Sequence, residues 1–224
     1  MANDDSFFRE VNEDLRSDRA KALWARFGPI IIAIAVVIVI GTAGYNGYRY
    51  WSDLQASRSG DQFLAALNLA RDGQTEAALT ELEVIESDGH GAYPVLARLR
   101  AATILADSGA LEEAVSSFNA IAADSTVPEV LRQTVAIRAG YLMVDYASYA
   151  DVSSAVERFA VSGHAMRHGA REILALSAWK SGDMERARQW IDEIDADPST
   201  PAGIARRVAI LSDLLTARDT DAAR

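Results

Sequence analysis

The 224-residue chain contains no cysteine, so neither disulfides nor thiolate metal sites can stabilise it. That absence is compatible with an oxidising compartment. Only five prolines occur, and β-branched runs are sparse outside one segment, which argues against a sheet-built domain. No HExxH, GxSxG, GxGxxG or Walker-type loop is present, leaving the corresponding hydrolytic, dinucleotide and phosphoryl-transfer chemistries without their signatures. The reading is non-enzymatic, with no cofactor. Charge is also missing where it matters most: Phe27 through Tyr48 contains no Asp, Glu, Lys or Arg.

This uncharged stretch is what the chain has in place of an ordinary soluble N-terminus. As a helix, its more apolar part (27–45) extends roughly 28 Å, matching a bilayer's hydrocarbon core. Nine of the eleven residues from Ile30 to Ile40 are β-branched, but the run is too long for a strand. Those nine side chains favour insertion by roughly 3 to 5 kcal/mol. Trp24 and Phe27 at one end, and Tyr45, Tyr48, Tyr50 and Trp51 at the other, stand where amphipathic rings prefer the headgroup region. A cleaved secretory signal is the competing account, but signals start short and basic, whereas six acids lie among the residues before Phe27.

Charge asymmetry then orients the span. Arg9, Arg16, Arg19, Lys21 and Arg26 precede it, against Arg49 and Arg58 just beyond it, placing the N-terminus in the cytoplasm. From Trp51 to Arg224 there are 26 acids and 16 bases, which accounts for the whole net charge of −10. Such a domain repels nucleic-acid phosphates and anionic lipid, and favours basic or partly unfolded partners over acidic ones.

Beyond the span, apolar residues recur at helical spacing, as in Phe63, Leu64 and Leu67. Aligning Gly73, Gly109, Ala150 and Gly182 places Ala78, Ala114, Ala155 and Ala187 five residues later. Leu82, Phe118, Phe159 and Ile191 follow at nine, and Ile85, Ile121, Ser162 and Ile194 at twelve. The separations are 36, 41 and 32 residues, so the third unit requires an insertion. Seven residues before the turns stand Ala66, Ala102, Met143 and Ala175. Each unit reads as a helical hairpin: a glycine turn, a small residue for close crossing, then large residues filling the groove. Thr75, Asp151 and Asp183 are expected to cap second helices, and Thr126, Pro128 and Glu129 to start a first helix. Thr200 and Pro201 begin a last, unpaired helix, roughly 202–217.

This pattern resembles tetratricopeptide repeats, most closely in LADSGALEEAVSSFNAIAADSTVP, with Gly109, Ala114, Phe118 and Pro128. A non-repetitive helical bundle is the alternative. The expected fold is all-α: one transmembrane helix, then a right-handed TPR-like α-solenoid of about four helix pairs and a C-terminal capping helix. Its divisions are a juxtamembrane segment (1–26), the transmembrane helix (27–48), a linker or start of the first helix (49–60), the repeat domain (61–217) and a disordered tail (218–224).

With span and repeats combined, FFREVNEDLRSDRAKALWARFGP before the apolar run and GYRYW after it resemble the YfgM-type ancillary subunits of the bacterial SecYEG translocon. That resemblance implies a periplasmic scaffold in the inner membrane, with translocon membrane subunits, a periplasmic chaperone and emerging polypeptides as partners. A scaffold for envelope assembly or cell division is the alternative.

Candidate sites are few. First helices of a solenoid line its concave face, and in this register they contribute Gln62, Arg98, Arg138 and Arg171 as partner-binding positions, or as plain solvated ones. Gly41, Ala43, Gly44 and Gly47 form a small-residue stripe that a partner membrane helix could pack on, or that lipid could cover. Phe8, Val11, Leu15 and Leu23 make an interrupted apolar stripe in the juxtamembrane segment. His164, His168 and Glu172 share a helical face and could hold zinc, but no fourth ligand is evident and a solvated helix start is the plainer reading. Asp192, Glu193, Asp195 and Asp197 lack an EF-hand's glycine and read as a solvated loop. Trp179 and Trp190 read as core or inter-repeat packing rather than as peptide-stacking platforms.

Overall fold

The computed structural model describes residues 4–222, with side chains described for residue 21 and residues 24–218. The apolar stripe Phe8, Val11, Leu15 and Leu23 lies outside the described side chains. All regular structure among the described residues is helical. The chain divides into two units, Met1–Ser57 and Arg58–Arg224, and helix α1 (Asp4–Arg71) contributes to both.

In the first unit, α1 carries a segment with a mean hydropathy of 2.5, long and apolar enough to cross a bilayer. From Ile30 to Ile40 its side chains face outward, with Val37 at 69% exposure, as a lipid-facing helix requires and a soluble core helix would not. Thr42 donates its hydroxyl to the Ile38 carbonyl at 2.8 Å, and the Trp24 indole covers Gly28.

The second unit is a series of antiparallel hairpins. The end of α1 pairs with α2 (Thr75–Asp88), α3 (Tyr93–Asp107) with α4 (Leu111–Ala123), α5 (Glu129–Met143) with α6 (Tyr149–Val156), and α7 (Arg167–Lys180) with α8 (Met184–Asp195). A last helix, α9 (Ala202–Ala222), follows and runs past the boundary expected at 217. Each apolar core combines one hairpin with the first helix of the next. Ala114, Phe118 and Ile121 of α4 meet Val135 and Ala139 of α5, and Val152 and Val156 of α6 meet Ala170 and Ile173 of α7. In the last core Ile191 and Ile194 of α8 meet Val208, Leu211 and Leu215 of α9. Helix α9 therefore occupies the place of a fifth first helix and closes the series.

Gly73, Gly109 and Gly182 adopt φ of 78°, 87° and 85°, a left-handed conformation that ends each first helix. The following N–H reaches back to a carbonyl of that helix: Gln74 to Leu69 at 2.9 Å, Ala110 to Leu105 at 3.0 Å and Asp183 to Ala178 at 2.9 Å. This is the Schellman closure.

The third hairpin corrects the expected register. Ala150 lies inside α6, and the turn equivalent to the glycines is Ala147, two residues before the helix. The spacings become 36, 38 and 35, and the insertion disappears. Val152, fully buried, takes the slot assigned to Ala155; Val156 takes that of Phe159, and Phe159 that of the exposed Ser162. Seven residues before the turn stands Gly140 rather than Met143. This junction closes without glycine, through successive short turns ending in a bond from the Ala147 N–H to the Met143 carbonyl at 2.8 Å. Capping shifts accordingly. Ser148, not Asp151, caps α6 by accepting from the Asp151 N–H, while Asp183 caps α8 as expected. Helices α2 and α5 have no side-chain cap, so Thr75 and Thr126 do not serve in that role.

Gly140 lets the facing Val156 and Ile173 come close to the α5 backbone. A Cβ there would lie 2.5 Å from Val156 Cγ1 and 3.2 Å from Ile173 Cδ1, so the close approach comes from the facing helix. Gly140→Ala should gain about 1 kcal/mol of helix propensity but lose more to overpacking against two stiff β-branched side chains, roughly 1 to 3 kcal/mol. Thermal denaturation of the full chain in micelles, followed by circular dichroism, should show a lowered midpoint. Gly41→Ala, where a Cβ meets nothing within 4 Å, should not lower it.

Candidate functional site: the edge formed by the inter-repeat loops

The four positions expected to line a binding surface have different surroundings. Gln62 is exposed on α1. Arg98, part-buried on α3, donates to Asp124 Oδ2 at 2.6 Å and lies 3.7 Å from Glu86. Arg171 is only 7% exposed; its Nε donates to the Ala160 carbonyl at 2.9 Å and lies 3.1 Å from Glu193, and its Nη1 donates to the Glu193 carbonyl. Little of it is left exposed, at a cleft that it lines with Arg167 and Glu193. Arg138 is exposed, with its guanidinium 5.4 Å from the centre of the Phe118 ring.

The corrected register explains this divergence. Arg98 and Arg171 each precede their turn glycine by eleven residues, whereas the equivalent residue before Ala147 is the buried Ala136. Arg138 belongs to a different row. The arginines that do correspond meet acids that also correspond, since Asp124 and Asp197 each follow their turn glycine by fifteen residues.

These acids organise the loops joining one hairpin to the next. Asp124 Oδ1 accepts from the backbone and hydroxyl of Thr126 at 3.0 and 2.6 Å, leaving Oδ2 for Arg98. Asp197 Oδ1 accepts in the same way from Ser199 at 3.0 and 2.5 Å, and Oδ2 accepts from Arg167 Nε at 2.7 Å. A D-x-S/T-x-P sequence, DSTVP and DPSTP, thus closes each loop and ties it to the hairpin's own first helix. The Thr126 hydrogen bonds and then Arg98 hold the Asp124 carboxyl at about 2, and the bonds from Arg167 and Ser199 push that of Asp197 well below its ordinary value.

The histidines and Glu172 have separate duties. His164 Nδ1 accepts from the Met166 N–H at 3.1 Å. His168 is buried beside Thr200, 3.2 Å away, and burial followed by the neighbouring Arg167 lowers its pKa. Glu172, 2% exposed, accepts from Tyr141 at 2.7 Å and from Arg207 Nε and Nη2 at 2.5 and 2.7 Å, joining α5, α7 and α9. Burial of the Tyr141 phenol, followed by its hydrogen bond to the Glu172 carboxylate, pushes its pKa upward. Among the described residues no three His, Cys, Asp or Glu side chains converge as a metal would need. Glu193 and Asp197 are engaged by arginines rather than lying in a solvated acidic loop. Trp190 donates to the Tyr149 hydroxyl at 3.0 Å, and Trp179 packs against the last core. In the apolar segment, added Cβ atoms at Gly41, Gly44 and Gly47 would meet nothing within 4 Å, and Ala43 is exposed.

Sequence reasoning missed the loop latches, Gly140 and the Glu172 cluster. The recurrence of D-x-S/T-x-P fifteen residues after a turn glycine was the available signal for the latches.

Repeated hairpins with ion-paired loops define a helical-repeat domain of the protein-interaction class. Comparison with protein-family models agrees: residues 21–189 match the tetratricopeptide repeat-like domain, so the chain belongs to that family. The match includes the apolar segment as well as the hairpins. No curated protein and no solved structure matches the chain.

Because both latch aspartates have folded-state values below their unfolded ones, their stabilisation is present above about pH 4 and lost as pH falls through the folded values. The thermal midpoint of the full chain should drop between about pH 4 and pH 2. Asp124→Asn should flatten that drop while lowering the midpoint at pH 7, which differential scanning calorimetry would record.

Proposed function

We propose that this protein is a single-pass membrane-anchored, non-catalytic scaffold, with its N-terminus in the cytoplasm and its repeat domain in the periplasm. In this reading it is ancillary to the Sec translocon of the inner membrane and links translocated polypeptides to periplasmic chaperones. The observation that carries it is the union, within one family match, of an outward-facing apolar helix and a tetratricopeptide repeat-like domain. Five basic residues before the span, against two beyond it, support the orientation.

The mechanism is avidity. A helix confined to the bilayer plane raises the effective concentration of its attached domain near a membrane partner, so modest affinity for a passing polypeptide suffices. The stripe of Gly41, Ala43, Gly44 and Gly47 is where a partner helix could approach closely. Gln62, Arg98 and Arg138 remain contributors to a peptide surface in this proposal, Arg98 through the face it leaves beside Asp124 and Glu86.

The chain's lack of cysteine makes single-cysteine variants clean reporters. With the outer membrane opened, Ala150→Cys should react with an impermeant thiol reagent and Asp5→Cys should not; the reverse pattern overturns the topology. Photocrosslinkers at positions 41–47 should capture translocon membrane subunits. Capture of division or cell-wall proteins without Sec components would transfer the scaffold to envelope assembly.

A further inference from the structure

Repeats three and four have the same length from turn to loop, yet they differ in charge at one place. Fifteen residues before the turn stand Arg132 in repeat three and Arg167 in repeat four. Eleven residues after the turn stand Arg158 and Glu193, fifteen after it Ser162 and Asp197, and seventeen after it His164 and Ser199. In repeat four Arg167 binds Asp197 and Ser199, and Arg171 binds Glu193. Repeat three keeps the arginine and has lost both acids.

That loss leaves a physical trace. Arg132 Nε is enclosed by protein and has no hydrogen-bond partner, and among the described residues Arg132 enters no ion pair. The other enclosed arginine Nε without a partner is that of Arg100, which shares its cleft with Asp107. Burying a charged donor without an acceptor is costly, and because Nε itself is closed off, an acceptor from outside can engage this guanidinium only where it lines an open cleft.

A cleft of about 300 Å³ opens at Arg132, lined also by Glu129, Gln133, Arg158, Phe159 and His164. Its single acid, Glu129, already accepts from Gln133 Nε2 at 2.8 Å. The Arg158 guanidinium lies 4.7 Å from the centre of the Phe159 ring, and the His164 ring 5.2 Å from it, so both sit over the same aromatic floor. His164 Nδ1 accepts from the Met166 N–H, so the neutral ring carries its proton on Nε2 as a further donor.

We propose that this cleft binds a carboxylate presented by a peptide, which completes in trans the latch that Asp197 completes in cis one repeat later. The inference rests on the scaffold class of the domain and not on which membrane partner the anchor serves. The ligand group is chosen by the sibling repeat, where the equivalent arginine takes a carboxylate. Either an Asp or Glu side chain or a C-terminal carboxylate has this chemistry.

The test uses the full chain in nanodiscs and three fluorescent peptides on a neutral Gly-Ser frame: one with two Asp and an amidated end, its Asn counterpart, and one with a free C-terminus as its only carboxylate. Fluorescence anisotropy should show binding of the Asp peptide or the free-C-terminus peptide, identifying the source, and at least tenfold weaker binding of the Asn peptide. Arg132→Gln should weaken binding at least tenfold with an unchanged thermal midpoint, because no internal partner is lost. Arg158→Glu, which recreates the charge of repeat four, should abolish binding and raise the midpoint. Measurable and equal binding of the Asp and Asn peptides, absence of binding by both carboxylate peptides, or wild-type affinity of Arg132→Gln would overturn the proposal. Failure here leaves the topology and crosslinking results untouched.

Discussion

Every hairpin depends on one steric constraint: two helix axes must approach closely enough for the large side chains beside the crossing to fill each other's grooves. Ala78, Ala114 and Ala187 meet it with a methyl group, and each is fully buried. Repeat three has Val152 at that slot, and its close approach lies one turn further on, where Gly140 leaves room for Val156 and Ile173. The requirement belongs to the pair of helices and not to either residue. A substitution tolerated in one repeat is therefore not transferable to another unless the facing helix changes as well.

This is also why the repeats were only partly legible in the sequence. The apolar run, the helical class, three glycine turns and the closing helix could be read directly, because each rests on a local signal: hydropathy, periodicity, left-handed φ, or a proline after a polar cap. The third turn has no glycine, and Ala155 followed by Phe159 imitates the small-then-large pair of its neighbours. Alignment on that imitation moved the unit by three residues and created an insertion that the chain does not contain. The same slip put Arg138 in a row with Arg98 and Arg171, although the residue at that level is Ala136. No local signal could repair it, since the decisive contact, Gly140 against Val156, joins two different helices.

Arginine placement follows from the acidity of the domain. With 26 acids and 16 bases beyond the apolar segment, each guanidinium has several carboxylates within the reach of its field, and most of those at helix junctions find one. Arg98, Arg167, Arg171 and Arg207 do so, and their partners fix the loops and the last first-helix layer. These pairs are cross-links between elements distant in sequence, which is where an ion pair with several hydrogen bonds contributes most to a specific geometry. Exposed pairs such as Lys180 with Asp145 contribute little by comparison.

Against that background, an enclosed arginine without an acid is the exception that carries information. The net charge of −10 repels an acidic partner at long range, but in physiological salt that field decays over about 8 Å, whereas a contact inside the Arg132 cleft acts at hydrogen-bond distance and is screened far less. The two effects select different properties of a partner. Overall charge disfavours strongly acidic polypeptides, while the cleft rewards a single carboxylate at a particular place, and a mostly neutral or basic chain with one accessible acid satisfies both. The membrane tether of the proposed function would add the remaining requirement, because a one-carboxylate contact is weak in free solution and gains most where the domain and its partner are held in the same plane.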